Sequence, residues 1–215
     1  MICGIDEAGR GPLIGPLVIA GVNTSDEQPL VDMNVRDSKR LTPGRRIELS
    51  KEIRSVCDIE VIMITAMELD IHRQVFSLNE LEARAFSKII HLLRPDTVYV
   101  DCVDTNEDNF RKRLVTRLDY SPKIISKHKA DDIYPVVSAA SIIAKTVRDA
   151  EVERISHEIG GGLGSGYPSD PITVNFVNCW LEKNGSFPPH TRHSWKTAQR
   201  LWEDHRYKPT RLDEF

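Results

Sequence analysis

The first sixteen residues, MICGIDEAGRGPLIGP, place the tightest constraint on what this chain can fold into. An apolar run stops on two adjacent acids, Asp6 and Glu7, and enters a turn carrying Gly9, Gly11, Gly15, Pro12, Pro16 and Arg10. Such a run, closed by Gly and Pro, reads as a strand that ends in a turn. The next apolar run, Leu17 to Val22, suits a second buried strand. Carboxylates and a basic, glycine-rich turn are therefore held together at a strand end. Hard divalent cations favour carboxylate and phosphate oxygens, and glycines let backbone N–H groups approach a nucleic-acid backbone or sugar without a Cβ in the way. Taken singly, Asp and Gly are ordinary turn residues, so this stretch alone does not establish a site.

The remainder alternates between the two periodicities. Thr42-Pro43 opens a helix to about Val56, with a capping hydroxyl and proline at the first helical position. Residues 58–65 are rich in Ile and Val and read as a strand. Residues 78–93 have helical spacing, with Leu81, Ala85, Ile89 and Leu92 on one face. The short strand 97–101 again stops on a carboxylate, Asp101. A helix over 108–118, a strand over 123–126 and a long helix from Tyr134-Pro135 to about His157 follow. The apolar face of that long helix is Val136, Ala140, Ile143, Val147 and Ala150. The loop 160–171 holds five of the twelve glycines, and helices over 172–183 and 194–205 finish the chain. The polar stretch 23–34 reads as a surface loop. Strands first, then strand–helix alternation, give an α/β chain with a mixed sheet and helices on its faces.

GIDEAGRGPLIGPLVIAGV resembles the opening motif of the ribonuclease HII (type 2 ribonuclease H) family and is closest in phrasing to archaeal members. The resemblance recurs, in family order, at Asp37-Ser38-Lys39-Arg40-Leu41-Thr42, Tyr99-Val100-Asp101, His128-Lys129-Ala130-Asp131 and Ser138 to Lys145. It continues at Gly164-Ser165-Gly166-Tyr167-Pro168-Ser169-Asp170 and at Ser194-Trp195-Lys196-Thr197, and so covers residues 1 to about 198. It implies a ribonuclease H-like fold with a C-terminal helical extension. Residues 1–158 would form the catalytic domain, 159–208 a helical substrate-binding part and 209–215 a flexible tail.

The resemblance also implies roles. Asp6, Glu7, Asp101 and Asp131 match the family's catalytic, metal-binding acids, which hold two Mn2+ or Mg2+ ions with Asp6 bridging both. Asp132 is then the helix cap, although the order of Asp131 and Asp132 in these roles could be reversed. Four crowded acids repel one another unless cations fill the space between them. The implied reaction is hydrolysis of the RNA strand of an RNA:DNA hybrid. It includes incision 5' of ribonucleotides embedded in duplex DNA, leaving 3'-hydroxyl and 5'-phosphate ends. Discriminating the sugars means sensing the 2'-hydroxyl. In the family this falls to the Gly9-Arg10-Gly11 turn and to the tyrosine matched by Tyr167. Lys145, Ser38, Lys39 and Arg45 (or Arg46) match phosphate-contacting positions. Ser138, Ser141, Lys145 and Arg148 recur at helical spacing as a polar stripe, which is ordinarily a solvated face. Trp195 reads as packing between helices.

Bulk properties agree. The formal charge of -3 argues against a protein that coats nucleic acid indiscriminately, yet residues 182–211 carry seven Lys/Arg against three acids. No apolar run reaches membrane-spanning length, no signal peptide is evident, and Cys3, Cys57, Cys102 and Cys179 form no C-x-x-C pair. A cytoplasmic protein with reduced thiols is expected, and a monomer satisfies every feature. The tail, with Leu212 and Phe215, resembles a sliding-clamp (PCNA) binding peptide, but Pro209 stands where glutamine is usual. A solvated terminus is the alternative. Two rival readings remain: a ribonuclease H-fold DNA resolvase, and a non-catalytic hybrid-binding module that would lack one of the four acids.

Overall fold

The computed structural model describes residues 1–35 and 41–207. Ser38 and Lys39 lie outside them, as does the tail with Leu212 and Phe215. The described chain forms two compact units.

The first unit comprises residues 1–10, 17–64 and 75–149. Its centre is a five-stranded sheet of β1 (Ile2–Ala8), β2 (Leu17–Thr24), β3 (Asp58–Ile64), β4 (Thr97–Asp101) and β5 (Lys123–Lys127), ordered β3-β2-β1-β4-β5. Strands β1, β2 and β3 pair antiparallel, whereas β4 and β5 continue from β1 in parallel. The expected mixed sheet is present, and β1 is its middle strand. Central strands have both faces covered, which explains why β1 and β2 read as continuous apolar runs.

Helices α1 (Gln28–Asp32), α2 (Pro43–Val56), α4 (Leu78–Leu93), α5 (Glu107–Val115), α6 (Ala130–Ile133) and the first part of α7 (Pro135–Glu158) belong to this unit. Thr42 caps α2 by accepting from the Arg45 N–H, and Pro43 follows it, as the sequence predicts. Gly4 of β1 lies directly against α7: a Cβ there would come within 2.2 Å of the Val136 backbone. That contact seats the helix on the strand two residues before Asp6.

Three expectations are corrected. Residues 23–34 are not a plain surface loop: β2 runs through Thr24, α1 follows, and Leu30 is fully buried. Leu81, Ala85 and Ile89 of α4 are buried as expected, but the buried face is wider and takes in Glu82 and Phe86, and Leu92 is half exposed at the last turn. The α7 stripe ends early because the helix passes from one core to another: Val136, Ala140 and Ile143 join the first core, Val152 and Ile155 join a second, and Ala150 is exposed.

The second unit comprises residues 11–16, 65–74 and 150–215. It holds α3 (Ala66–His72), the end of α7, α8 (Pro171–Asn184) and α9 (Lys196–Arg206) around Leu13, Ile14, Leu163, Val177, Leu181 and Leu201. Helix α3, absent from the sequence expectation, is fixed by a capping box between Thr65 and Glu68. The N–H groups of Leu13 and Ile14 donate to the Gly166 carbonyl, and the buried Arg192 Nε donates to the Gly15 carbonyl at 2.9 Å.

Candidate active site

Register brings two of the sequence-selected acids side by side. Ile5 of β1 stands opposite Val100 of the parallel strand β4, so Asp6 and Asp101 follow at the next position on neighbouring strands. Adjacent strands lie about 4.8 Å apart. Asp101 Oδ1 accepts the Ala130 N–H at 2.8 Å, which ties the start of α6 to the end of β4. The chain turns into α6 through Lys129, in the left-handed region at φ 56°. Asp131 is thereby carried inward to 5% exposure, as buried as Asp6, while Asp132 faces solvent. Asp132 lies within α6, whose N-cap is Lys129, just ahead of the long helix α7.

The electrostatics show how closely these acids are gathered. Burial lifts the Asp6 carboxyl first, Asp101 and Asp131 add to it, and hydrogen bonds from Ser141 and the Glu7 N–H oppose, leaving it at about 7. Glu7 is pushed well above the ordinary range, first by burial, then by Asp6, Glu82 and Asp101, with Arg10 opposing. Glu7 keeps some exposed surface, yet its Oε2 is enclosed and receives no hydrogen bond. Among the described residues no three His, Cys, Asp or Glu side chains are already posed around a single ion point. The fit to divalent cations rests instead on the donor set, which is all carboxylate oxygen, on mutual repulsion that only positive charge relieves, and on the enclosed Glu7 oxygen.

Neighbouring side chains extend the site. Lys145 Nζ donates to Ser141 Oγ at 2.8 Å, and Ser141 in turn bonds Asp6, so the lysine is linked to the acids through one hydroxyl. Ser138 Oγ donates to the Asp131 carbonyl. This polar stripe is not a solvated face: Ser138 and Ser141 are fully buried and Arg148 nearly so. Arg45 is exposed and donates to Glu48 and Glu52 of its own helix. Arg46 bonds the Leu41 carbonyl and Asp149.

The turn divides its roles. Gly9 takes φ 88°, a conformation glycine adopts without penalty. Arg10 points its guanidinium inward, to Glu82 Oε2 at 2.8 Å, Asn79 Oδ1 at 2.6 Å and the Val103 carbonyl at 3.1 Å. In the second unit, the Tyr167 ring lies against Gly11, where a Cβ would sit 3.7 Å from its Cε1. Trp195 is half-buried, with the Arg192 guanidinium 4.8 Å over its ring. Sequence reasoning missed Glu82 and Asn79. The available signal was a glutamate on an apolar helix face, four and seven residues before Phe86 and Ile89.

The model of the family described as Ribonuclease HII matches residues 3–198. Ribonuclease HII of Methanococcoides burtonii is 45% identical over 209 residues, covering 93% of this chain and 98% of the relative. Among solved structures, ribonuclease H2 of Pyrococcus horikoshii OT3 superposes with a TM-score of 0.90 at 41% identity, covering 96% of this chain and 99% of that one. The ribonuclease HII of Archaeoglobus fulgidus, solved as a complex with PCNA, gives 0.89 at 41% identity, with both chains covered in full. The architecture is thus the ribonuclease H-like fold.

Proposed function

The chain belongs to the ribonuclease HII family, and from that premise we propose that it cuts the RNA strand of RNA:DNA hybrids and incises 5' of single ribonucleotides in duplex DNA. As a member of the family it is a metal-dependent ribonuclease H endonuclease. The observation that carries the finer reading is the convergence of Asp6, Glu7, Asp101 and Asp131.

Two divalent ions, Mn2+ or Mg2+, would be held by these four acids. When bound, such ions activate a water and offset the charge that builds on the phosphate and on the leaving sugar oxygen. The protein's part is to hold the carboxylates in place. The Ala130 N–H fixes Asp101, Ser141 and the Glu7 N–H fix Asp6, and the Oε2 of Glu7 is enclosed. Hydrolysis breaks the bond between phosphorus and the 3'-oxygen, so water supplies the proton of the 3'-hydroxyl and the oxygen of the 5'-phosphate. The Gly9-Arg10-Gly11 backbone senses the 2'-hydroxyl, Tyr167 packs on the sugar that follows, and Lys145 meets a phosphate, as do Ser38, Lys39 and Arg45. The helical residues after 158 supply further contacts to the duplex.

The clamp reading extends from the Archaeoglobus fulgidus relative, which was solved with PCNA, to Leu212 and Phe215 in this chain's tail. Deleting the last six residues should then abolish clamp binding, and undiminished binding would dispose of that part.

The decisive assay uses a DNA duplex carrying one ribonucleotide, with wild-type protein and Asp6→Asn, each with and without EDTA. Cleavage by the wild type alone, abolished by EDTA, is expected, with a 3'-hydroxyl on the upstream product. Equal cleavage by Asp6→Asn or in EDTA overturns the reading, and cutting of an all-DNA control favours the resolvase.

A further inference from the structure

We infer that Asn79 and Glu82 of α4 are positioning residues for ribonucleotide recognition, acting by clamping the Arg10 side chain so that the Gly9-Arg10-Gly11 backbone is held ready for the sugar. This rests on the reading of that turn as the sugar-sensing element.

The geometry is that of an anchor, not of a ligand-binding arginine. The Arg10 guanidinium donates to acceptors from two separate parts of the first unit: Asn79 Oδ1 at 2.6 Å and Glu82 Oε2 at 2.8 Å on α4, and the Val103 carbonyl at 3.1 Å after β4. Glu82 has no exposure, so its carboxylate is fixed by packing as well as by the ion pair. Asn79 is oriented from its other side, because its side chain also bonds Asp104. A planar guanidinium forked onto fixed acceptors loses its rotamer freedom. Arg10 sits between two glycines, the residue type with the greatest backbone freedom, so a tethered side chain is what can hold that turn in one conformation. Backbone groups held before the substrate arrives do not have to be ordered on binding.

The clamp also separates two roles for charge. Glu82 lies near enough to Glu7 to repel it, and Arg10, ion-paired to Glu82, is the cation that opposes that repulsion. A clamp needs only an oxygen acceptor at position 82, whereas a purely electrostatic role needs the negative charge.

The experiment compares wild type, Asn79→Ala, Glu82→Ala and Glu82→Gln, all with Mg2+ present. It measures kcat and KM on a duplex with one ribonucleotide, and the dissociation constant for the same duplex made entirely of DNA. We expect Asn79→Ala and Glu82→Ala to lose about tenfold or more in kcat/KM on the ribonucleotide duplex. Their affinity for the all-DNA duplex, which offers no 2'-hydroxyl, should stay at the wild-type level. Glu82→Gln, which keeps an oxygen for Arg10, should fall within about threefold of wild type. The inference is overturned if Asn79→Ala keeps wild-type kcat/KM, if affinity for both duplexes falls in parallel, or if Gln at position 82 is as damaging as Ala. Should Glu82→Ala fail to fold, Asn79→Ala and Glu82→Gln decide alone. Wild type that leaves the ribonucleotide duplex intact refutes the functional reading, whereas a cutting wild type matched by its variants refutes only the clamp.

Discussion

Two glutamates on α4, Glu80 and Glu82, stand two residues apart and meet opposite fates. Glu80 accepts from Arg84 Nε at 2.9 Å and Arg117 Nη2 at 2.5 Å, with Arg113 at 3.8 Å. Burial alone would raise its carboxyl, but those guanidiniums outweigh it and hold the group below the usual range. Glu82 lies fully buried on the other face with Arg10 and looks toward Glu7, which burial, Asp6, Glu82 and Asp101 together push far upward. One cluster has a surplus of cations and satisfies itself. The other has a surplus of anions and is left wanting positive charge, which is the signature of a site built for something other than stability.

The largest effect that could break this contrast comes from Asp6. Asp6→Asn should lower cleavage of a ribonucleotide-containing duplex by about 10^3-fold or more, the scale set by removing a preorganised charged group from a reacting centre. The same change relieves repulsion among the acids, so the metal-free protein should become more stable by about 1 kcal/mol. Urea unfolding in EDTA reads the second quantity. A variant that is both inactive and destabilised would show that the acids are not in conflict.

Next comes the contact that seats the strand. Gly4→Ala drives a methyl into the Val136 backbone at 2.2 Å, and overpacking against backbone should cost about 3 kcal/mol. Gly44→Ala, in α2 with open space around it, should be neutral or stabilising by about 0.5 kcal/mol. Denaturant midpoints of the two variants test whether the β1–α7 seat, and with it the position of Asp6, tolerates no side chain.

Another effect follows from pH. The folded value of Asp6, about 7, lies above its ordinary 3.8, so the metal-free folded protein holds a proton that the unfolded chain releases. That contribution is complete below about pH 4 and is lost as pH rises through about 7. In EDTA, wild-type stability should therefore decline across this window relative to Asp6→Asn. Stabilisation by added Mg2+ should grow over the same window, because the ion needs the carboxylates deprotonated. Parallel pH profiles for wild type and variant would contradict the shift.

Much of this was legible from residues alone, for identifiable reasons. Asp6 and Asp101 announce themselves because each closes an apolar run, and parallel register then sets them side by side. Thr42-Pro43 names a helix start by chemistry that needs no tertiary context. What stayed hidden depends on packing. Helix α3 leaves Met67 and Ile71 exposed, so it has no apolar stripe to read, although Thr65 and Glu68 spell its cap. Ser138, Ser141 and Arg148 look like a wet face until the fold buries them, and Glu82 looks like a surface charge until the buried face of α4 is seen to extend past Leu81, Ala85 and Ile89 to position 82.

The smallest expected effect tests the satisfied side of the contrast. Glu80→Ala removes the acceptor of Arg84 and Arg117, groups that keep substantial contact with water. Exposed ion pairs contribute up to about 1 kcal/mol, and the arginines freed here can be resolvated instead of being stranded. Stability should therefore drop by less than about 1 kcal/mol, and kcat/KM should hold at the wild-type value. The loss should also shrink as salt is raised, since the Debye length contracts from about 10 Å at 0.1 M to about 3 Å at 1 M. If Glu80→Ala proves as damaging to cleavage as Glu82→Ala, the two faces of α4 do not differ in kind, and the anion surplus around Glu7 loses its claim to be the functional one.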